Sequence, residues 1–144
     1  MPNDTRDELQ KLLNSTAGKD NKIDAAFVFE SKTGTIMHRS TTEGYSGFGG
    51  KETVQAFQGW LGRLKDTQKS VSAINLGDPK YLVIPFDHGL LNLYFEEKTF
   101  AHPVIIGFVY KGNDAEGSLG EMLYNTNIAV TKIRDLLKLL LPLV

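Results

Sequence analysis

A layered α+β domain built on a five-stranded, mostly antiparallel sheet is the fold this sequence predicts, on three observations. Between residues 80 and 111 three apolar runs follow one another with short connections, the pattern of neighbouring antiparallel strands. Residues 23–30 (IDAAFVFE) and 104–110 (VIIGFVY) are apolar on both faces, so each belongs inside a sheet that is covered on both sides. Segments of helical spacing are interspersed with the strands, in the order α-β-β-α-β-β-β-α.

The chain opens with a helix over residues 5–14 (TRDELQKLLN), striped by Leu9, Leu12 and Leu13, with Thr5 and Glu8 matching a capping box. In the strand at 23–30, Ile23, Ala25, Phe27 and Phe29 share one face and Ala26 and Val28 the other. Ser31-Lys32-Thr33-Gly34 has turn chemistry, and Thr35–Thr41 (TIMHRST) is a polar strand suited to an edge. Residues 43–50 (EGYSGFGG) form a flexible, glycine-rich connector into a helix at 51–68. There Val54, Phe57, Leu61 and Leu64 repeat at three and four; Ala56 and Trp60 widen the stripe toward one side, and Gly59 and Gly62 fall on the other.

Residues 71–78 lead into Tyr81–Phe86 (YLVIPF), closed by Asp87-His88-Gly89, whose glycine is expected to supply the positive φ of a tight hairpin. Residues 90–96 (LLNLYFE) alternate, with Leu91, Leu93 and Phe95 on a buried face and Asn92, Tyr94 and Glu96 on the other. After the strand at 104–110, Ser118 and Glu121 read as a second capping box, opening a helix that reaches Leu141 before Pro142 stops it. Pro85 cannot donate to a ladder and so favours an edge. With strands numbered along the chain, two interior and two outer positions give the order 2-1-5-4-3.

The composition fits one ordinary soluble domain over residues 1–144: 41% hydrophobic, 23% charged, and long enough to bury its own core. A net charge of -1 offers no field for phosphate backbones or acidic membranes, which argues against a nucleic-acid partner. The absence of cysteine excludes disulfides, iron-sulfur clusters and thiolate zinc sites. The polar N-terminus shows no secretory signal and no run is long enough to insert in a membrane, so the expected location is cytoplasmic.

No catalytic constellation stands out, and no cofactor is implied. The stretch at 45–53 (YSGFGGKET) resembles a phosphate-binding loop because Gly50-Lys51 precedes a helix, but Tyr45 replaces the first glycine and Glu52 the Ser or Thr after the lysine. His38, His88 and His102 lie in separate segments without metal-ligand spacing. Glu96 and Glu97 are adjacent, point to opposite faces of a strand, and read as solvated charges.

The element order, the segment LGDPKYLVIPFDHGLLNLYFEE, the strand VIIGFVYKGN and the helix SLGEMLYNTNIAVTKIRDLL resemble a Roadblock/LC7 domain over nearly the whole chain. The resemblance implies a profilin-like architecture, with the middle helix on one sheet face and the first and last on the other. It also implies a homodimer in which middle helices pair and third strands lie side by side, although Pro85 departs from an ideal pairing edge. Family members act as regulators around small Ras-like GTPases, as scaffolds, or as dynein light chains. The expected function is therefore a non-enzymatic homodimeric adaptor that influences the nucleotide state or localisation of such a GTPase. The alternatives are a small-molecule-sensing PAS or profilin-like module and a structural subunit of a larger complex. Gly59, Gly62, Tyr81, Val83 and Pro85 are the expected dimer contacts; Gln55, Gln58, Arg63, Lys65 and Asp66 form the expected partner-binding flank.

Overall fold

The computed structural model describes residues 2–67, 71 and 73–144. The helix α1 (Pro2–Thr16) and a short 3-10 turn precede β1 (Ala25–Glu30) and β2 (Thr35–Thr41); α2 (Lys51–Thr67), β3 (Tyr81–Phe86), β4 (Gly89–Glu96), β5 (Val104–Lys111) and α3 (Leu119–Leu140) follow. Gln68, expected to end the middle helix, lies outside the described residues, as does Ser72 in the stretch beyond. Every strand pair is antiparallel and the order is β2-β1-β5-β4-β3, as the burial argument predicts.

The sheet separates two cores. On one face, α1 and α3 bring Leu9, Leu13, Met122, Ile133 and Leu137 against Val28, Ile106 and Phe108. On the other, α2 covers Phe27, Phe29, Leu91, Leu93 and Ile105. The helices differ in depth: α3 buries six residues, α2 only Leu61. A fully buried leucine contributes about 1.5–3 kcal/mol, so α2 depends heavily on Leu61 and on the half-buried Phe57, Trp60 and Leu64. Phe27 fits beneath α2 because Gly107 stands directly opposite it on β5; a Cβ at Gly107 would lie 2.1 Å from the Phe27 ring.

Four local expectations are corrected. All of β4 is buried, including its polar residues, because α3 brings polar partners down onto it. Asn92 donates to the Thr126 hydroxyl at 2.9 Å, the Tyr94 hydroxyl donates to Asn127 Oδ1, and Arg134 Nε donates to Glu96 Oε1 at 2.7 Å. Glu96 and Glu97 do point to opposite faces, but neither is merely solvated: Glu96 pairs with Arg134 of α3 and Glu97 with Lys65 of α2. Neither capping box forms as read. The first helix already begins at Pro2, a residue well suited to a first turn, and the Ser118 hydroxyl donates to Asp114 at 2.9 Å instead of capping α3. Gly89 lacks positive φ. Its value is close approach, since a Cβ there would lie 2.4 Å from the Tyr110 carbonyl oxygen.

Candidate partner-binding surface

The two sheet edges are treated differently. On β2 the register with β1 shifts after Val28, which pairs with His38 while Phe29 pairs with Ile36. The Ile36 N–H donates to Gln58 Oε1 at 2.7 Å, and the Arg39 carbonyl accepts from Gln10 Nε2 at 3.0 Å. An irregular strand whose polar groups are taken by side chains is a poor template for another strand. Among the described residues no hydrogen bond reaches the outer side of β3. Apolar side chains flank that open edge on both faces: Leu82 and Ile84 are half-buried beside α2, while Tyr81 stacks on Tyr94 and is 57% exposed.

Helical periodicity fixes which flank of α2 looks toward this edge. The hydrogen bond from Ile36 to Gln58 puts the Gln58 side over β2. On the opposite flank Thr53 and Phe57 join Phe86, Leu91 and Val109 around a groove of about 560 Å³. One turn further, the same flank carries Ala56 and Trp60, so an exposed alanine and a half-buried tryptophan stand toward the open strand. The connector is docked rather than loose. Phe48 meets Phe27 edge-on at 5.7 Å and stacks with Phe57 at 5.9 Å, Tyr45 meets Phe48 at 6.0 Å, and burial raises the Tyr45 hydroxyl pKa.

Solved structures with this architecture include an MglB in a tetrameric arrangement, at 12% identity and TM-score 0.69, covering 92% of this chain and 89% of that one. A second is the gliding protein MglB from Thermus thermophilus, at 14% identity and TM-score 0.68, covering 92% and 90%. A third is a Roadblock/LC7 domain from Streptomyces avermitilis, at 15% identity and TM-score 0.54, covering 91% and 96%. The chain has the Roadblock/LC7 fold. No family model matches it, and no curated protein matches it by sequence.

Within the Roadblock/LC7 fold the expected contact residues fall into separate groups. Tyr81, Val83 and Pro85 lie opposite Tyr94, Asn92 and Leu90, so their side chains share the α1 and α3 face of the sheet. Gly59 and Gly62 belong to α2 on the other face, on its outer and β2-facing sides. A Cβ at Gly62 would meet nothing within 4 Å, and one at Gly59 only Arg63 Nη1 at 3.5 Å. The glycines and the outward side chains of β3 therefore lie on opposite faces of the sheet, and the flank of α2 away from Gln58 carries Ala56 and Trp60. Of the expected flank, Gln55, Arg63 and Asp66 are exposed, whereas Gln58 is bound to β2 and Lys65 is paired with Glu97.

Charged groups elsewhere are committed to the fold. Asp24, buried at the start of β1, accepts from the Thr42 hydroxyl at 2.9 Å and the Lys111 N–H at 2.7 Å, and pairs with Lys19. The Asp114 carboxyl is held well below the usual carboxylate range by hydrogen bonds from the Tyr110 and Ser118 hydroxyls and the Lys22 ammonium. Among the described residues no three His, Asp or Glu side chains converge to hold a metal ion, and no helix is long and apolar enough to cross a membrane.

Proposed function

We propose that this chain is a homodimeric adaptor that binds a small Ras-like GTPase and influences its nucleotide state or location through contacts rather than catalysis. The observation that carries the reading is the asymmetry of the sheet edges: β2 is obstructed by Gln10 and Gln58, while β3 is open and lies beside the Ala56 and Trp60 flank of α2. One usable edge per chain closes an assembly at two copies instead of extending it. The Roadblock/LC7 fold and the tetrameric arrangement of a similar MglB support self-association; the family's regulatory role supports a GTPase partner. In such a dimer the two α2 helices share one face, and each presents Gln55, Arg63 and Asp66 to the partner.

Affinity capture with the tagged chain, followed by calorimetry with each recovered GTPase in its GDP and GTP-analogue forms, tests the proposal. Tighter binding of one nucleotide state, weakened in Arg63→Ala, is the expected result. Recovery of no small GTPase, or equal binding of both states with no effect of Arg63→Ala, would overturn it. The groove of about 560 Å³ beside Phe57 and Phe86 favours a second reading, a small-molecule module. That reading requires an apolar ligand that raises the melting temperature and whose effect is lost in Val109→Trp.

A further inference from the structure

We propose that the groove between the connector, α2 and the β3–β4 hairpin binds a lipophilic monocarboxylate, its hydrocarbon over Leu91 and Val109 and its carboxylate at Lys111. This ligand class rests on the small-molecule reading above and does not depend on the homodimer.

Two cross-strand rows on the α2 face of the sheet build the site. Ile84, Leu91 and Val109 stand side by side on β3, β4 and β5, and the next row toward the hairpin is Phe86, Gly89 and Lys111. Val109 lies on an interior strand between β1 and β4, yet from Val104 to Tyr110 it is the one residue of β5 that is not buried. The start of α2 stands clear of the sheet, with Lys51, Glu52 and Thr53 exposed. Phe57 and the docked Phe48 wall the groove on one side, and Phe86, 57% exposed, stands on the other. Hydrocarbon laid over this floor would remove apolar surface of both partners from water. The groove's volume of about 560 Å³ is that of a small-molecule site.

The second row selects the head group. Gly89 puts no side chain between Phe86 and Lys111, whose strands lie about 10 Å apart, twice the spacing of neighbouring strands. A chain can leave the apolar floor through this gap. It then meets a second cleft, of about 430 Å³, lined by Lys19, His88, Lys111 and Asn113. Lys19 is already committed, donating to the Lys111 carbonyl at 2.8 Å and pairing with Asp24, and His88 Nδ1 lies 3.2 Å from Asn113 Oδ1. Among the described residues no carboxylate lies within ion-pair distance of the Lys111 ammonium. One negative charge is matched by Lys111, whereas the second charge of a phosphate monoester would face Asp87 in the same turn.

Calorimetry of the wild type at low salt with hexanoate, octanoate and decanoate, and with decanol as the neutral counterpart of decanoate, tests the proposal. One carboxylate should bind per chain, and affinity should rise about fourfold per methylene. Lys111→Gln, at an exposed position, should weaken decanoate about fivefold and leave decanol unchanged. Thr53→Trp, also at an exposed position, places an indole in the groove and should abolish binding of both. Decanol and decanoate that both bind and both ignore Lys111→Gln would overturn the carboxylate assignment while leaving the small-molecule reading standing. Binding that survives Thr53→Trp would overturn the site. Binding of neither ligand would overturn the proposal together with that reading; if Thr53→Trp then dissociated a dimeric wild type, the groove would belong to a second copy.

Discussion

Replacing Gly59 and Gly62 together by alanine separates helix propensity from interface geometry. In a helix interior each glycine costs about 0.8–1.0 kcal/mol relative to alanine. The added methyls meet no atom at Gly62 within 4 Å and only the flexible end of Arg63 at Gly59, so no packing cost offsets that gain. The double variant should be more stable by about 1.6–2 kcal/mol, a rise of roughly 4–8 °C in the melting temperature of a domain this size. Both residues face away from the open β3 edge, so dimerisation should be unchanged. Thermal denaturation at fixed concentration and sedimentation velocity of the same samples measure the two effects. A folded variant that has become monomeric would refute the reasoning, because the bare glycine face would then be the contact. A destabilised variant would show that α2 does not sit as described.

Gly107→Ala should be severe, because its Cβ would fall 2.1 Å from the Phe27 ring, which Phe57 and Phe48 already confine. A loss of about 1–3 kcal/mol or more is expected by urea denaturation, and simultaneous Phe27→Leu should recover part of it. Acid should act in part through Asp114. Because the folded state holds this carboxyl below its usual range, its contribution to stability is present above about pH 4 and lost as the pH falls further. Urea midpoints should therefore decline less steeply between about pH 4 and pH 2 in Asp114→Ala than in wild type; parallel curves would show that the contacts with Tyr110, Ser118 and Lys22 carry no linkage.

The sheet order was legible because burial is written into single strands: β1 and β5 are apolar on both faces, and Pro85 marks an edge. Features decided by distant partners were less so. Asn92, Tyr94 and Glu96 make β4 look half-exposed, and only the packing of α3 brings Thr126, Asn127 and Arg134 onto them. Gly89 and Gly107 serve neighbouring strands, which local turn chemistry does not reveal. On α2 the stripe correctly located the core-facing side, yet could not say which flank would lie beside β3. That depended on Gln58 reaching β2, a contact between distant residues that the spacing along the helix does not reveal. The docking of Phe48 was hidden by the glycines around it, which suggested a flexible connector.

The central claim, that the flank of α2 beside β3 joins two copies, is tested most directly by sedimentation equilibrium of the wild type alongside Ala56→Glu. Position 56 is exposed in the single chain, so a charge there should leave the fold intact while burying unpaired in the dimer. The account predicts twice the chain mass of 16.0 kDa for wild type at tens of micromolar and 16.0 kDa for the variant, with identical circular dichroism. A wild type of 16.0 kDa throughout, or a variant as dimeric as wild type, would contradict it.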